Sequence, residues 1–348
     1  MGLVTEDEFV PLGSVCRLYG FNLTSNRAIP GLCAEQLTSA PPDLSLELGP
    51  EPDWVSSARR PAGVPDNRSV PRRGIEAEFC LNVLNDGQVF ELAYNDGTHF
   101  VIDAAAERLW ATWQAPLTLE DLTTYLLGPV MGFILRRRGI TALHSSTVSV
   151  GGRAIALCGE SESGKSTTAA ALAVRGVSVL AEDISPIREE NGILCVEPGY
   201  PRICLWPDAV EPLFGSLEAL PLLTPNWDKR FLPLDGGRAR FESQKQPLGA
   251  VYLLAPREDA MDAPRVEELR PREGLLQLVQ NTYMNYLLNG SQRAAELDVL
   301  AKIVSQVPVR RLVAHADPKR IGALCELIVS DAERLFAGQT CSIQTSDE

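Results

Sequence analysis

The rhythm of apolar and polar positions changes along the chain. In the amino-terminal part, short apolar runs at Val15–Gly20, Leu44–Leu48, Gln88–Ala93 and His99–Asp103 are broken by turn residues, Asn95-Asp96-Gly97 being the clearest. Such runs predict strands joined by tight turns. Between them, Ser56–Gly74 is rich in Arg, Pro, Gly and Ser and almost free of large apolar side chains, a composition that predicts a mobile loop with solvated arginines (Arg59, Arg60, Arg68, Arg72, Arg73). The period then lengthens: Leu122, Leu126, Val130 and Ile134 recur at helical spacing. Thr118-Leu119-Glu120-Asp121 resembles a capping box one residue short, Arg136-Arg137-Arg138 suits the negative end of a helix, and Gly139 stops it.

From Thr141 the pattern becomes strand, glycine loop, helix, strand. Thr147–Val150 and Arg153–Leu157 flank Gly151-Gly152, a hairpin signature. Thr167–Arg175 is alanine-rich and helical, with Gly176 beyond its end, and Val177–Ala181 reads as a buried strand. A strand at Val251–Leu254, a long helix from Glu273 to Leu288, a second near Ala294–Val304, a strand at Val307–Leu312 and an amphipathic helix near Arg320–Phe336 follow. The tail Gly338–Glu348 is polar and predicts a frayed end.

Between the second hairpin strand and the alanine-rich helix lies Gly159-Glu160-Ser161-Glu162-Ser163-Gly164-Lys165-Ser166, which fits GxxxxGK[ST] at every fixed position, with Thr167 after it. Glycines let such a loop fold its backbone N–H groups around phosphate oxygens, and the following helix turns its positive end to the same anion. Lys165 is placed to reach the β- and γ-phosphates, and the Ser166 hydroxyl to ligate Mg²⁺. Val177–Ala181 then delivers Glu182-Asp183, expected beside the loop in a parallel sheet, at the carboxyl ends where such folds bind ligands. Paired acids there can divide the labour of holding a cation and accepting a proton. The rival reading has Asp183 capping a turn before Pro186 and Glu182 solvated. No N-K-x-D segment is present, which favours ATP over GTP.

Composition narrows the class. The chain has 348 residues, 45% of them hydrophobic, and a net charge of −13; that balance argues against a nucleic-acid or membrane-surface partner and would suit a basic peptide. Its eight cysteines are scattered, with no CxxC pair, which argues against zinc and disulfide frameworks. Met1–Val10 lacks the basic-then-apolar order of a leader, and no apolar stretch approaches membrane-span length. A cytoplasmic protein is expected.

His144, the Gly159–Thr167 loop and Glu182-Asp183, taken at their spacing, resemble the kinase domain of the HPr kinase/phosphorylase family. The chain is similar in particular to HPr-kinase-related proteins of peptide-tailoring systems, lasso-peptide kinases among them. Arg17–Gly20, Leu143–Ser146, Pro198–Pro201, Leu205–Pro207, Lys229-Arg230 and Pro247-Leu248 carry that likeness, which runs from about Arg17 to Leu312. The resemblance implies an α/β fold with a P-loop kinase core like that of HPr kinase and phosphoenolpyruvate carboxykinase, behind a strand-rich amino-terminal region. It also implies ATP and Mg²⁺, a homo-oligomer, and a peptide or small-protein acceptor. Gly159, Glu160, Ser161, Glu162, Ser163, Gly164, Lys165, Ser166 and Thr167 would bind the nucleotide, Ser166 and Asp183 the metal. Glu182 would be the base, with Asp183, His144 and Lys165 completing the catalytic set, and Lys229, Arg230 and Arg202 a clamp on phosphate or substrate. Two positions depart from the pattern: Glu182 where the family has Asp, and Thr167 where HPr kinases have Glu. Trp206 and Trp227 are expected in loops, packed in the ordinary way.

The expected division is a strand-rich domain over residues 1–115, a catalytic domain over 116–338 and a flexible tail over 339–348. The expected activity is transfer of the γ-phosphate of ATP to a Ser or Thr hydroxyl of a peptide or small protein, such as a ribosomal natural-product precursor. Rival expectations are a small-molecule alcohol as acceptor, and a non-catalytic ATP sensor or scaffold.

Overall fold

A computed structural model describes residues 13–59, 72–73 and 78–343. The expectation for Met1–Val10, the arginines Arg60 and Arg68, and residues 344–348 lie outside them. The mixed α/β chain divides into two compact units, one of residues 1–138 with 224–226 and one of residues 139–223 with 227–348.

In the first unit, β1 (Val15–Leu18), β2 (Phe21–Ser25), β3 (Leu37–Thr38), β4 (Leu44–Leu48), β5 (Arg72–Arg73), β6 (Glu78–Leu84), β7 (Val89–Tyr94), β8 (His99–Asp103) and β9 (Arg108–Thr112) form one sheet in the order β3-β1-β2-β4-β9-β8-β7-β6-β5. The segment expected as loop begins instead with helix α1 (Asp53–Arg59), whose Val55 is buried against Val89, Val101 and Trp110. The predicted helix is two short helices, α2 (Leu119–Tyr125) and α3 (Met131–Arg137), joined by a π-turn at Leu126–Val130. Pro129 has no N–H to give the helical ladder, which accounts for the break. The capping box does form: the Thr118 N–H donates to Asp121 Oδ2 at 2.8 Å, so Asp replaces the usual Glu. These helices group with the first unit, not with the glycine loop, because Tyr19 Oη donates to Leu127 O at 2.9 Å and Phe90 packs at a tilt against Phe133, centroids 5.6 Å apart.

The second unit contains β10 (Ala142–Val150), β11 (Arg153–Cys158), α4 (Lys165–Ala173), β12 (Ser178–Ala181), β13 (Ile184–Glu190), β14 (Ile193–Val196), β15 (Arg202–Leu205), α5 (Pro207–Phe214), all but the last residue of β16 (Leu222–Thr224), β17 (Trp227–Pro233), β18 (Gln246–Leu254), β19 (Arg265–Glu268), α6 (Pro271–Gln280), α7 (Gly290–Gln306), β20 (Val309–Val313) and α8 (Ile321–Ile343). β10 and β11 pair through the predicted hairpin, Val150 opposite Arg153, and β11 lies parallel to β18, Cys158 opposite Leu253. β18 is in turn parallel to β20. The run Ala169–Ala173 of α4 is wholly buried among Ile155, Leu157, Ile203, Leu205 and Ile328. Its small side chains let the helix lie close to the sheet, which holds the preceding loop against the end of β11.

Three expectations change here. β12 is not a parallel neighbour of β11: it pairs antiparallel with β10, so the two run the same way with β10 between them. The helix expected to reach Leu288 ends at Gln280, because the next residues pair with β10: the His144 N–H donates to Asn281 O and the Tyr283 N–H to Ala142 O, each at 2.8 Å. The polar tail continues as helix to Ile343. No helix among the described residues is long and apolar enough to cross a membrane.

The placement of α8 is testable at Gly249 in β18, where an added Cβ would meet Phe336 carbons at 2.6 Å and Arg153 Cβ at 2.9 Å. Gly249→Ala is expected to lose about 1–3 kcal/mol by overpacking. Urea denaturation checks this, and an unchanged midpoint would contradict the packing described.

Candidate functional site

Between β11 and α4 the loop turns on residues that suit few alternatives. An added Cβ at Gly159 would lie 2.6 Å from Ser163 Oγ, and Gly164 sits at φ +99° as the residue that starts α4. Glu162, at φ 65°, takes a left-handed conformation without being glycine. Glu160, Ser161 and Glu162 are exposed, Ser163, Gly164, Ser166 and Thr167 half-buried, and Lys165 buried at 7% exposure.

Lys165 folds back over its own loop. Its Nζ donates to Gly159 O and Glu160 O, each at 2.9 Å. Burial lowers the ammonium pKa, and Asp183, then Cys158 and Glu182, pull it back up. The Ser163 hydroxyl, buried within the loop, has no hydrogen-bond partner among the described residues. A loop with an orphaned hydroxyl and a buried cation whose hydrogen bonds among the described residues go to the loop's own carbonyls has the donors an anion requires.

The acids come from the other side of β10. β12 pairs with Thr147–Ser149 and β13 with Ala142–His144, so a single line of chain follows one edge of β10 and kinks at Glu182-Asp183. At the kink Asp183 has φ 64°, the Ile184 N–H donates to Glu182 O at 2.7 Å, and the Ser145 N–H donates to Asp183 O at 3.2 Å. This is a γ-turn around a non-glycine residue, a strained conformation worth about 1–3 kcal/mol that clusters at functional sites. It aims the two side chains differently. Glu182, 5% exposed, accepts from Ser166 Oγ at 2.8 Å. Asp183, with 38% of its side chain exposed, meets His144 Nε2 at 3.0 Å through Oδ1. The rival reading of a solvated Glu182 is therefore corrected, since the glutamate is enclosed and bonded to the loop.

The two carboxyls are driven apart electrostatically. Burial, and then the charge of Asp183, raise Glu182 from 4.5 to about 7 against the pull of Lys229, Ser166 and Lys165. Burial also pushes Asp183 upward, but the hydrogen bond and charge of His144, with Lys229 and Lys165, bring it down to about 2. The His144 ring is fixed edge-on against Tyr283, centroids 5.7 Å apart.

The clamp candidates separate. The Lys229 ammonium acts on both acids and lies 5.1 Å from the Trp206 ring centroid. Arg230, on the opposite face of β17, donates to Leu220 O at 3.0 Å. Arg202, 8% exposed, rests on the Tyr200 and Phe231 rings at 5.8 and 5.1 Å. Trp206 is the connecting residue between β15 and α5, as expected of a loop position, whereas Trp227 opens β17.

Sequence reasoning missed Arg257. Its guanidinium lies over the loop, 2.9 Å from where a Cβ of Gly164 would be, and makes no hydrogen bond or ion pair among the described residues. The available signal was indirect: Arg257 follows β18, which is parallel to β11 and therefore ends on the same side. Asn281 and Tyr283, which strap His144 in place, left no signal inside what reads as a helix.

Among the described residues no three His, Cys, Asp or Glu side chains converge as a metal cage. The oxygen set of Ser166 and Glu182 nevertheless fits Mg²⁺, which uses one or two carboxylates and completes its shell with water and phosphate.

No protein-family model matches this chain, and no curated protein sequence does. Among solved structures it is similar to the Hpr(Ser) kinase/phosphatase from Coxiella burnetii, at 15% identity over 60% of this chain and 99% of that one, with a TM-score of 0.32. A likeness that loose carries no weight for fold or chemistry, which rest on the residues above.

A raised Glu182 has a stability consequence in the nucleotide-free protein. Because the folded state binds this proton more tightly than the unfolded chain, the stability it confers is complete below its ordinary value of 4.5 and lost as pH rises through about 7. Glu182→Gln is therefore expected to melt above the wild type near pH 8 and at a similar temperature near pH 5. Thermal melts across pH check this, and a parallel offset at every pH would contradict the buried, raised carboxyl.

Proposed function

We propose that the chain is an ATP-dependent phosphotransferase that moves the γ-phosphoryl group to a Ser or Thr hydroxyl of a peptide or small protein. A ribosomal peptide precursor of the lasso type is the acceptor class suggested by the sequence. The observation that carries the reading is the Ser166–Glu182 hydrogen bond of 2.8 Å, which joins a GxxxxGK[ST] loop to a strained pair of acids. The loop amides and Lys165 would hold the β- and γ-phosphates, the ammonium exchanging its two carbonyl partners for phosphate oxygens.

The contacts favour an exchange of the roles expected for the acids. Glu182 lies behind the Ser166 hydroxyl, so these two would hold Mg²⁺, which when bound would neutralise charge on the transferring group. Asp183 is the more exposed acid and is hydrogen-bonded to His144, so it faces the acceptor. In the step proposed, the acceptor oxygen attacks the γ-phosphorus, the bond to the β,γ-bridging oxygen breaks, and ADP leaves with that electron pair. The hydroxyl proton passes to Asp183, with His144 holding the carboxylate in place. A weak base suffices, because phosphoryl transfer depends chiefly on positioning and charge stabilisation. Arg257, poised over Gly164, would add a second cation opposite the developing charge.

Mass spectrometry of a Ser- and Thr-containing peptide library incubated with protein, ATP and Mg²⁺ tests the proposal. One phosphoryl group should be gained, and Lys165→Ala should abolish the gain. Asp183→Asn should slow turnover about 10²- to 10⁴-fold while Mg·ATP affinity is kept. Glu182→Gln should weaken Mg·ATP binding, and Arg257→Ala should lower turnover about tenfold or more, with partial recovery in Arg257→Lys. ATP binding without transfer to any peptide would overturn the peptide-kinase reading.

A further inference from the structure

β15 and β17 pair antiparallel, Cys204 opposite Phe231 and Arg202 opposite Pro233. Successive side chains of a strand point to opposite faces. Ile203, Leu205 and Leu232 enter the core against the alanines of α4, so Arg202 and Cys204 occupy the other face with Lys229 and Phe231. Arg202 is 8% exposed, yet its guanidinium has no hydrogen bond or ion pair among the described residues; its contacts are the Tyr200 and Phe231 rings. Ring faces return only part of a guanidinium's hydration, and an incoming carboxylate would return more. The protein's net charge of −13 makes the lack of a carboxylate partner here more pointed.

This face adjoins the acids. The Cys204 thiol is pushed up to about 11, first by burial and then by Glu182, while Lys229 and Arg202 pull it the other way. Cys204 therefore lies within electrostatic reach of all three charges. Lys229 also acts on Glu182 and Asp183 and sits over Trp206, which is 41% exposed.

We propose that Arg202 and Lys229 form an anion subsite that selects acceptor peptides carrying an Asp or Glu side chain next to the phosphorylated Ser or Thr. The inference rests on the phosphotransferase reading and names its substrate class. Arg202 would take the carboxylate bidentately, a geometry its planar fork favours, and Lys229, on the same face beyond Phe231, would add a second positive charge. The acidic surface of the protein does not contradict this, because recognition follows local charge and not the total.

The test measures binding apart from turnover. The probes are a fluorescent Ser-centred peptide pool with Asp flanking the serine, and its Asn counterpart, titrated in the presence of Mg²⁺ and a non-hydrolysable ATP analogue. Wild-type protein should bind the Asp pool about ten- to a hundredfold more tightly. Arg202→Met should erase that preference, and Arg202→Lys should retain part of it. ATP-analogue affinity and melting temperature, read on each variant, separate a lost subsite from a lost fold. If Arg202→Met does not fold, the Asp-over-Asn ratio for Arg202→Lys decides: a ratio below the wild type's supports the subsite. Equal affinity for the two pools, or a preference unaffected at position 202, would overturn the proposal. So would tight binding of a sugar phosphate with no discrimination between the pools. Transfer is read separately, by mass spectrometry of the same peptides incubated with the protein, hydrolysable ATP and Mg²⁺: absent transfer with the preference intact refutes the kinase reading and leaves the subsite standing.

Discussion

The kink at Glu182-Asp183 is the constraint on which the site depends. β10 is long enough to pair with β11 along one edge and with β12 and then β13 along the other. The change of partner at Ser145, where Cys158 lies opposite on one side and Asp183 O accepts the Ser145 N–H on the other, brings the loop after β11 level with the acids after β12. A regular strand would send successive side chains to opposite faces. The γ-turn at Asp183 instead delivers Glu182 to Ser166 and Asp183 to His144. Local strain of this kind persists where the surroundings over-determine it, and here hydrogen bonds on β10 and the packed alanines of α4 do so.

The charges around the kink are poorly satisfied as pure structure. Lys165 is buried against its own loop carbonyls, Glu182 is enclosed and raised, Ser163 Oγ is orphaned, and Arg202 lies between rings. A fold selected for stability alone would have removed or paired these groups. On the phosphotransferase reading these groups await a polyanion, with cations and backbone donors on one side of two carboxyls of unlike affinity for protons.

Local signals were legible in the sequence. Gly151-Gly152 announced the hairpin, Gly159–Ser166 the strand–loop–helix, and Thr118 the start of α2. What sequence could not supply was pairing over distance. A run such as Val177–Ala181 declares itself a buried strand but carries no mark of which neighbour it joins, and it joined β10, antiparallel. The helix read through to Leu288 failed for a related reason: periodicity registers apolar spacing, whereas Asn281 and Tyr283 leave the helix to satisfy β10. Composition misjudged Ser56–Arg59, where the one buried side chain of α1, Val55, lies just before the polar run. Arg257 was hidden because its relevance follows from the parallel pairing of β11 and β18.

The phosphotransferase reading requires the Gly159–Ser166 loop to receive a nucleoside triphosphate. Isothermal titration of the protein with a non-hydrolysable ATP analogue and Mg²⁺ tests it most directly. One site per chain is expected, with an affinity that falls at least about a hundredfold in Lys165→Ala, the loss expected when a charge-assisted contact leaves a buried polyanion. Binding of equal strength in wild type and Lys165→Ala, or none in either, would contradict it.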